Sequence, residues 1–121
     1  MAHSIHKQIK ITLRQDTLWA DVEIIPLLKW MYSFPSVKTY HSCWGGATSN
    51  IWHTLYPYVL FSCNNKDLIQ IGKAMCNDCR VYIECEFDED SPPVLKYALR
   101  SQSINFFRKV VKQVTKDVDI K

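Results

Sequence analysis

The sequence has no long apolar run: nothing in its 121 residues approaches the roughly 20 consecutive apolar positions that cross a bilayer. Its N-terminus, Met1-Ala2-His3-Ser4-Ile5-His6-Lys7, is polar and lacks the apolar stretch of a signal peptide. No membrane partner is therefore expected, and the chain is expected to stay in the cytoplasm where it is made. It also lacks a strong charge of either sign. A formal charge of +3 argues against a dedicated duplex-DNA binder, which shows a larger basic excess or a basic stripe. There is no phosphate-binding P-loop, no Rossmann glycine fingerprint and no His-Glu-x-x-His, so no motif calls for a cofactor. Repeats, low-complexity tracts and long linkers are missing too, and one α+β domain over residues 1–121 is the expectation.

What is present is an ordinary globular composition, 47% apolar and 22% charged, enriched in aromatics with four tryptophans and six tyrosines. Rings of that size fill a small core or stack on a flat ligand. The five cysteines are odd in number and come without a secretion signal, which reads as free thiols in a reducing compartment.

Lys7 to Leu13 alternates polar and apolar residues as a half-buried strand does. Asp16 and Asp21 are candidate helix caps. Val22, Ile25, Leu28 and Tyr32 then recur at helical spacing, with Leu18, Leu27 and Met31 widening the stripe. Pro26 is tolerated only near a helix start, which places the regular helix from about Glu23 to Ser33. Ser36 to Cys43 and Pro57 to Cys63 read as strands. Asn64 or Asn65 caps a helix through Met75 that stops at Asn77-Asp78. Arg80 to Phe87 alternates strictly, Asp88 to Pro93 reads as a polar turn, and Val94 to Arg100 returns as the hairpin partner. A last helix from Ser103 carries Ile104, Phe107, Val111, Val114 and Val118. The order β-α-β-β-α-β-β-α predicts a single layer of about five mostly antiparallel strands. The helices cover one face, in a ferredoxin-like or split βαβ arrangement with right-handed crossovers.

The chemistry-bearing candidate is the loop that follows the second predicted strand, His41-Ser42-Cys43-Trp44-Gly45-Gly46. Adjacent glycines reach positive φ and let a ligand approach the backbone, and exposed amides in such a turn form an anion-binding nest. Thr39, His41, Ser42, Ser49 and Asn50 supply polar contacts, and Trp44 and Trp52 supply stacking faces. That combination suits a nucleotide or an RNA base. The alternative is a plain connection whose tryptophans cover a core edge. Cys43 with His41 is the weaker, catalytic candidate: the two share a strand face, but no third group orients the histidine.

Cys76-Asn77-Asp78-Cys79 is a lone Cys-x-x-Cys. Structural zinc takes four ligands, and no second pair stands at the usual spacing, so no metal site is assigned. Arg108, Lys109, Lys112 and Lys116 form a basic helix side that reads as solvated. Aromatics near Trp44, Trp52 and Tyr56 would anchor a host protein if the chain is an interaction module.

Ile25-Pro26-Leu27, Phe34-Pro35-Ser36-Val37-Lys38-Thr39, Ser42-Cys43-Trp44-Gly45 and Pro57-Tyr58-Val59-Leu60-Phe61 together resemble a group of small phage and bacterial proteins of unassigned function. Their shared pattern is a helix, a Pro-Gly-Val-x-Thr strand, a Thr-x-x-Ser-Cys-x-Gly-His motif and a Tyr-Val-x-Phe strand. The Ser-Cys-x-Gly core is also similar to the wybutosine-tRNA methyltransferase family, whose strand ends in Ser-Ser-Cys-Ser-Gly-Arg. Thr39, Ser42, Cys43 and Gly45 carry the likeness, whereas Gly46 stands where those families have His or Arg. The resemblance implies a phage-encoded or mobile-element protein in the host cytoplasm that counters a host defence. It also favours a nucleotide or RNA ligand, with RNA methyl transfer as an enzymatic alternative.

Overall fold

The structure, a computed structural model, describes residues 6–46, 55–88 and 94–116. Two strands open the fold, β1 (Gln8–Leu13) and β2 (Asp16–Asp21), paired antiparallel as a hairpin. A single 3-10 turn, Val22–Ile24, leads into α1 (Ile25–Tyr32), with Pro26 in its first turn where a missing N–H costs nothing. Then follow β3 (Lys38–Cys43), β4 (Tyr58–Ser62), α2 (Asn65–Met75), β5 (Val81–Asp88), β6 (Val94–Ser101) and α3 (Ile104–Thr115). Val118 and residues 89–93 of the expected turn lie outside the described residues.

The described strands number six, all antiparallel to their partners, in a two-stranded and a four-stranded sheet. This corrects the expected single sheet of about five. The difference is β2, which the helical spacing of its apolar residues disguises as the approach to α1. Asp16 and Asp21 cap nothing; both belong to the strand. The two-residue turn before β2 is Arg14-Gln15, with φ of 58° and 116°, and it contains none of the usual turn residues. Arg14 fastens the turn by donating to the carbonyls of Val37 (2.6 Å), Tyr32 (2.6 Å) and Phe34 (3.0 Å) at the end of α1.

The larger sheet runs in the order β3-β4-β6-β5. Both β4 and β5 are antiparallel to β6, so they are parallel to each other with β6 between them and α2 linking them. That is a split βαβ unit. The rows follow from the register. Val59, Phe61, Tyr97, Leu99 and Val81 lie on one face and are buried with Leu27, Leu28 and Met31 of α1, Ile71 and Met75 of α2, and Phe107, Val110 and Val111 of α3. Tyr58, Arg100 and Tyr82 form a row on the opposite face. Each helix presents its apolar stripe to the sheet, as the 3.6-residue spacing requires.

Asn64 caps α2 by accepting from the Asp67 amide at 2.8 Å. Asp67 accepts in turn from the amide and hydroxyl of Ser36, at 3.0 and 2.5 Å. The two Ser36 bonds hold the Asp67 carboxyl below its ordinary range. This pins the start of α2 to the chain just ahead of β3.

Candidate functional site

β3 has two different flanks. At its C-terminal end, Trp44-Gly45-Gly46 is wired into the protein from every side. Asp21, fully buried, accepts from the Trp44 amide at 2.8 Å and from the Gln8 side chain at 2.9 Å. The Gly45 amide points at the Cys43 sulfur, 3.4 Å away, and the Gly46 amide donates to the Leu55 carbonyl at 2.8 Å. The carbonyl side is equally engaged. His6 bridges the Gly45 carbonyl (2.7 Å) and the Glu23 carboxylate (2.9 Å), one through each ring nitrogen. Arg108 donates to the carbonyls of Gly45 (3.1 Å) and Trp44 (3.4 Å).

The anion nest expected at this turn therefore has no free amide among residues 44–46: each N–H already has a partner inside the protein. The glycines have another use. Gly45 sits at φ +82°, and a Cβ there would come within 2.6 Å of the Pro57 nitrogen. Its lack of a side chain serves a backbone-to-backbone contact rather than a ligand. Trp44 is only 8% exposed, lies edge-on to Phe107 at 6.1 Å, and has the Arg108 guanidinium 5.0 Å from its ring centre. Its indole is a core component and offers no open stacking face.

Ser42 pairs with Val59 on the covered side of the sheet, with its hydroxyl buried. Ser49, Asn50 and Trp52 lie outside the described residues. Cys43 is half-buried, and burial pushes its thiol up, with the Asp21 carboxylate adding to the rise. A nucleophilic thiol needs the opposite shift. Cys63 is pushed up to about 11, mainly by burial, and burial raises Cys76 as well. Among the described residues no group of three or more His, Cys, Asp or Glu side chains is placed to hold a metal ion.

The other flank is open. Between the turn and strand β2 on one side and the first half of β3 on the other lies a cleft of about 560 Å³. Gln15, Asp16, Thr17, Leu18 and Trp19 form one wall, and Lys38, Thr39, Tyr40 and His41 the other. β2 and β3 belong to different sheets and do not pair with each other. Two of the sequence-derived site residues, Thr39 and His41, are here. Thr39 is buried, its amide donating to the Tyr32 hydroxyl at 3.1 Å, while His41 is exposed.

Trp19 is the residue that sequence reasoning missed. It is 63% exposed on β2, directly opposite Lys10 of β1 in the register. Tyr40 sits at a register shift in β3, its ring 5.5 Å from the Lys38 ammonium and 4.3 Å from that of Lys96. The signal available in the sequence is the alternation Thr17-Leu18-Trp19-Ala20, which throws Trp19 to the side opposite Leu18 and Ala20.

The cleft thus combines an uncovered indole, a second aromatic ring flanked by cations, and an exposed imidazole. Compared with protein-family models, with curated proteins and with solved structures, the chain matches none.

Proposed function

We propose that this protein binds single-stranded RNA or a free nucleotide in the cleft between β2 and β3. The common chemistry is one base with its phosphate. The observation that carries the reading is Trp19, a large aromatic left 63% exposed at the wall of a cleft whose opposite wall holds Lys38, Tyr40 and His41. An exposed indole beside a cleft offers a flat face on which a base stacks, at about 1–3 kcal/mol per stack. Lys38, with Lys10 across from Trp19, supplies positive charge for a phosphate. His41 supplies a donor or acceptor for the base edge. This places the ligand beside the Gly45-Gly46 turn and not on it. The Ser42-Cys43-Trp44-Gly45 resemblance supports setting the activity in a phage-encoded or mobile-element protein that counters a host defence.

Anisotropy of a labelled RNA of about 10 nucleotides tests the proposal. Saturable binding is expected, weakening as salt rises, with a loss of tenfold or more in Trp19→Ala and in Lys38→Glu. Competition by adenosine monophosphate separates the two sources: full displacement at matching affinity identifies the free nucleotide. Equal binding by the wild type and both variants would sink the assignment.

One observation favours a second reading, a protein-interaction module. Phe87 (67% exposed) and Leu95 (46% exposed) face each other across β5 and β6, beyond the cover of the helices. If that pair anchors a host protein, Phe87→Glu with Leu95→Glu abolishes the capture of that protein and leaves RNA binding intact.

A further inference from the structure

α3 lines a second cavity on the face that turns toward the start of α1. Arg108, Val111, Lys112 and Thr115 follow one another at i, i+3, i+4 and i+7, which puts them on one side of the helix. Together with Glu23, Pro26 and Trp44 they line a cavity of about 430 Å³, within the range of small-molecule sites. Its lining is divided by chemistry. Pro26, Trp44 and Val111 are apolar, with the indole contributing an edge of aromatic surface.

The charged part is asymmetric. Arg108 spends an outer nitrogen on the Trp44 and Gly45 carbonyls, while its Nε is buried and has no hydrogen-bond partner. The rest of the guanidinium lines the cavity, and a carboxylate is the partner that fits a guanidinium best. Lys112, exposed at the rim, adds a second positive charge. Glu23 is the opposing group, and its carboxylate is already bonded to His6 at 2.9 Å. Burial is the largest single influence and pushes the Glu23 carboxyl up, but the His6 hydrogen bond, a backbone hydrogen bond and the nearby His6 and Arg108 charges together hold it below its ordinary range. The cavity therefore holds two cations and one anion that is engaged elsewhere.

We propose that this cavity binds a small planar carboxylate, its apolar body against Trp44, Pro26 and Val111 and its carboxylate on the Arg108 guanidinium with Lys112 beside it. The site is separate from the β2–β3 cleft and stands or falls independently of RNA binding there.

The test follows the indole N–H resonance of Trp44, assigned by its loss in Trp44→Phe, during titration with 4-fluorobenzoate. Benzyl alcohol, which keeps the ring and lacks the charge, and inorganic phosphate, which keeps the charge and lacks the ring, are the controls. A saturable shift with 4-fluorobenzoate alone is expected. Lys112→Glu reverses an exposed charge without touching the core and should weaken binding at least tenfold. Thr115→Trp fills the mouth and should abolish it. Arg108→Gln should abolish it too; since Arg108 also holds the loop carbonyls, the other two variants decide the matter. The proposal is overturned by no saturable shift, by equal binding of benzyl alcohol or of phosphate, or by unchanged affinity in both Lys112→Glu and Thr115→Trp.

Discussion

The two flanks of β3 use the same kinds of residue to opposite ends. At Trp44-Gly45-Gly46 an aromatic and two glycines are consumed internally, with Asp21, Leu55, His6 and Arg108 taking up the backbone groups. At Lys38-Thr39-Tyr40-His41 the strand faces a gap, and Trp19 stands across it uncovered. A glycine pair beside polar and aromatic residues is thus no guide to a ligand until its amides are accounted for. A buried backbone N–H must find a partner, and a turn whose partners come from the protein itself has nothing left for a phosphate. The sealed turn serves stability and the open flank carries the cleft proposed for RNA, and substitutions can set the two apart.

The largest effect is expected at Gly45. Alanine there takes a left-handed backbone that costs about 1–3 kcal/mol, and its Cβ meets the Pro57 nitrogen at 2.6 Å, with overpacking adding about 1–3 kcal/mol. A total loss of about 2–6 kcal/mol by urea denaturation is the expectation. Trp19→Ala should do the reverse, leaving stability within about 0.5 kcal/mol while RNA affinity falls. A Gly45→Ala protein with wild-type stability would break the distinction between the flanks.

Asp21→Ala comes next. It strips the Trp44 amide and the Gln8 side chain of a fully buried acceptor, and stranding such groups costs about 2–3 kcal/mol. Asp21→Asn, which keeps an acceptor for the Trp44 amide, should recover part of the loss in thermal melts. A surface role for Asp21, as in a simple helix cap, predicts instead about 1 kcal/mol and no such ranking.

These residues also mark how far the sequence can be read. Strands β1, β3, β4, β5 and β6 and all three helices are legible because periods of 2 and 3.6 residues follow directly from which face meets the core. β2 is not, because Arg14-Gln15 makes a tight hairpin turn without glycine, asparagine or proline, and its stability comes from carbonyls 18 to 23 residues away. Leu18 then falls into an apparent helical stripe, which hides Trp19 beside it. The Gly45-Gly46 turn is correctly legible as a place of unusual backbone. Its purpose is hidden, since Asp21 lies 23 residues from Trp44 and the Pro57 contact 12 residues from Gly45. Local pattern reveals that a backbone is special, and only the distant partners reveal why.

Acid should loosen the protein from a different place. The Asp67 carboxyl is held low by its bonds to Ser36, and Arg80 holds Asp78 down to about 2. Both acids are depressed in the folded state, so their contribution is fully present above the unfolded value of about 3.9 and is lost as pH falls toward the folded values. Urea midpoints should therefore hold steady from pH 7 to 5 and drop between about pH 4 and 2. Asp67→Asn with Asp78→Asn should shallow that drop. An unchanged slope in the double variant would shift the acid sensitivity to other carboxylates.

The smallest expected effect probes the hinge between the flanks. Gln15 holds φ at 116° in the turn that leads into β2 and sets the cleft wall. A non-glycine residue there stores about 1–3 kcal/mol of strain, while glycine gives back about 0.5–1 kcal/mol in unfolded-chain entropy. Gln15→Gly should therefore leave stability unchanged or raise it by up to about 2 kcal/mol, read as a higher urea midpoint at unchanged slope. Because Arg14 still clamps the turn to the end of α1, the wall should keep its place and RNA affinity should not change. A more stable variant that binds RNA less well would mean that the strained turn itself shapes the cleft, and the division between a sealed, stabilising flank and an open, binding one would then have to include the β1–β2 hairpin on both sides.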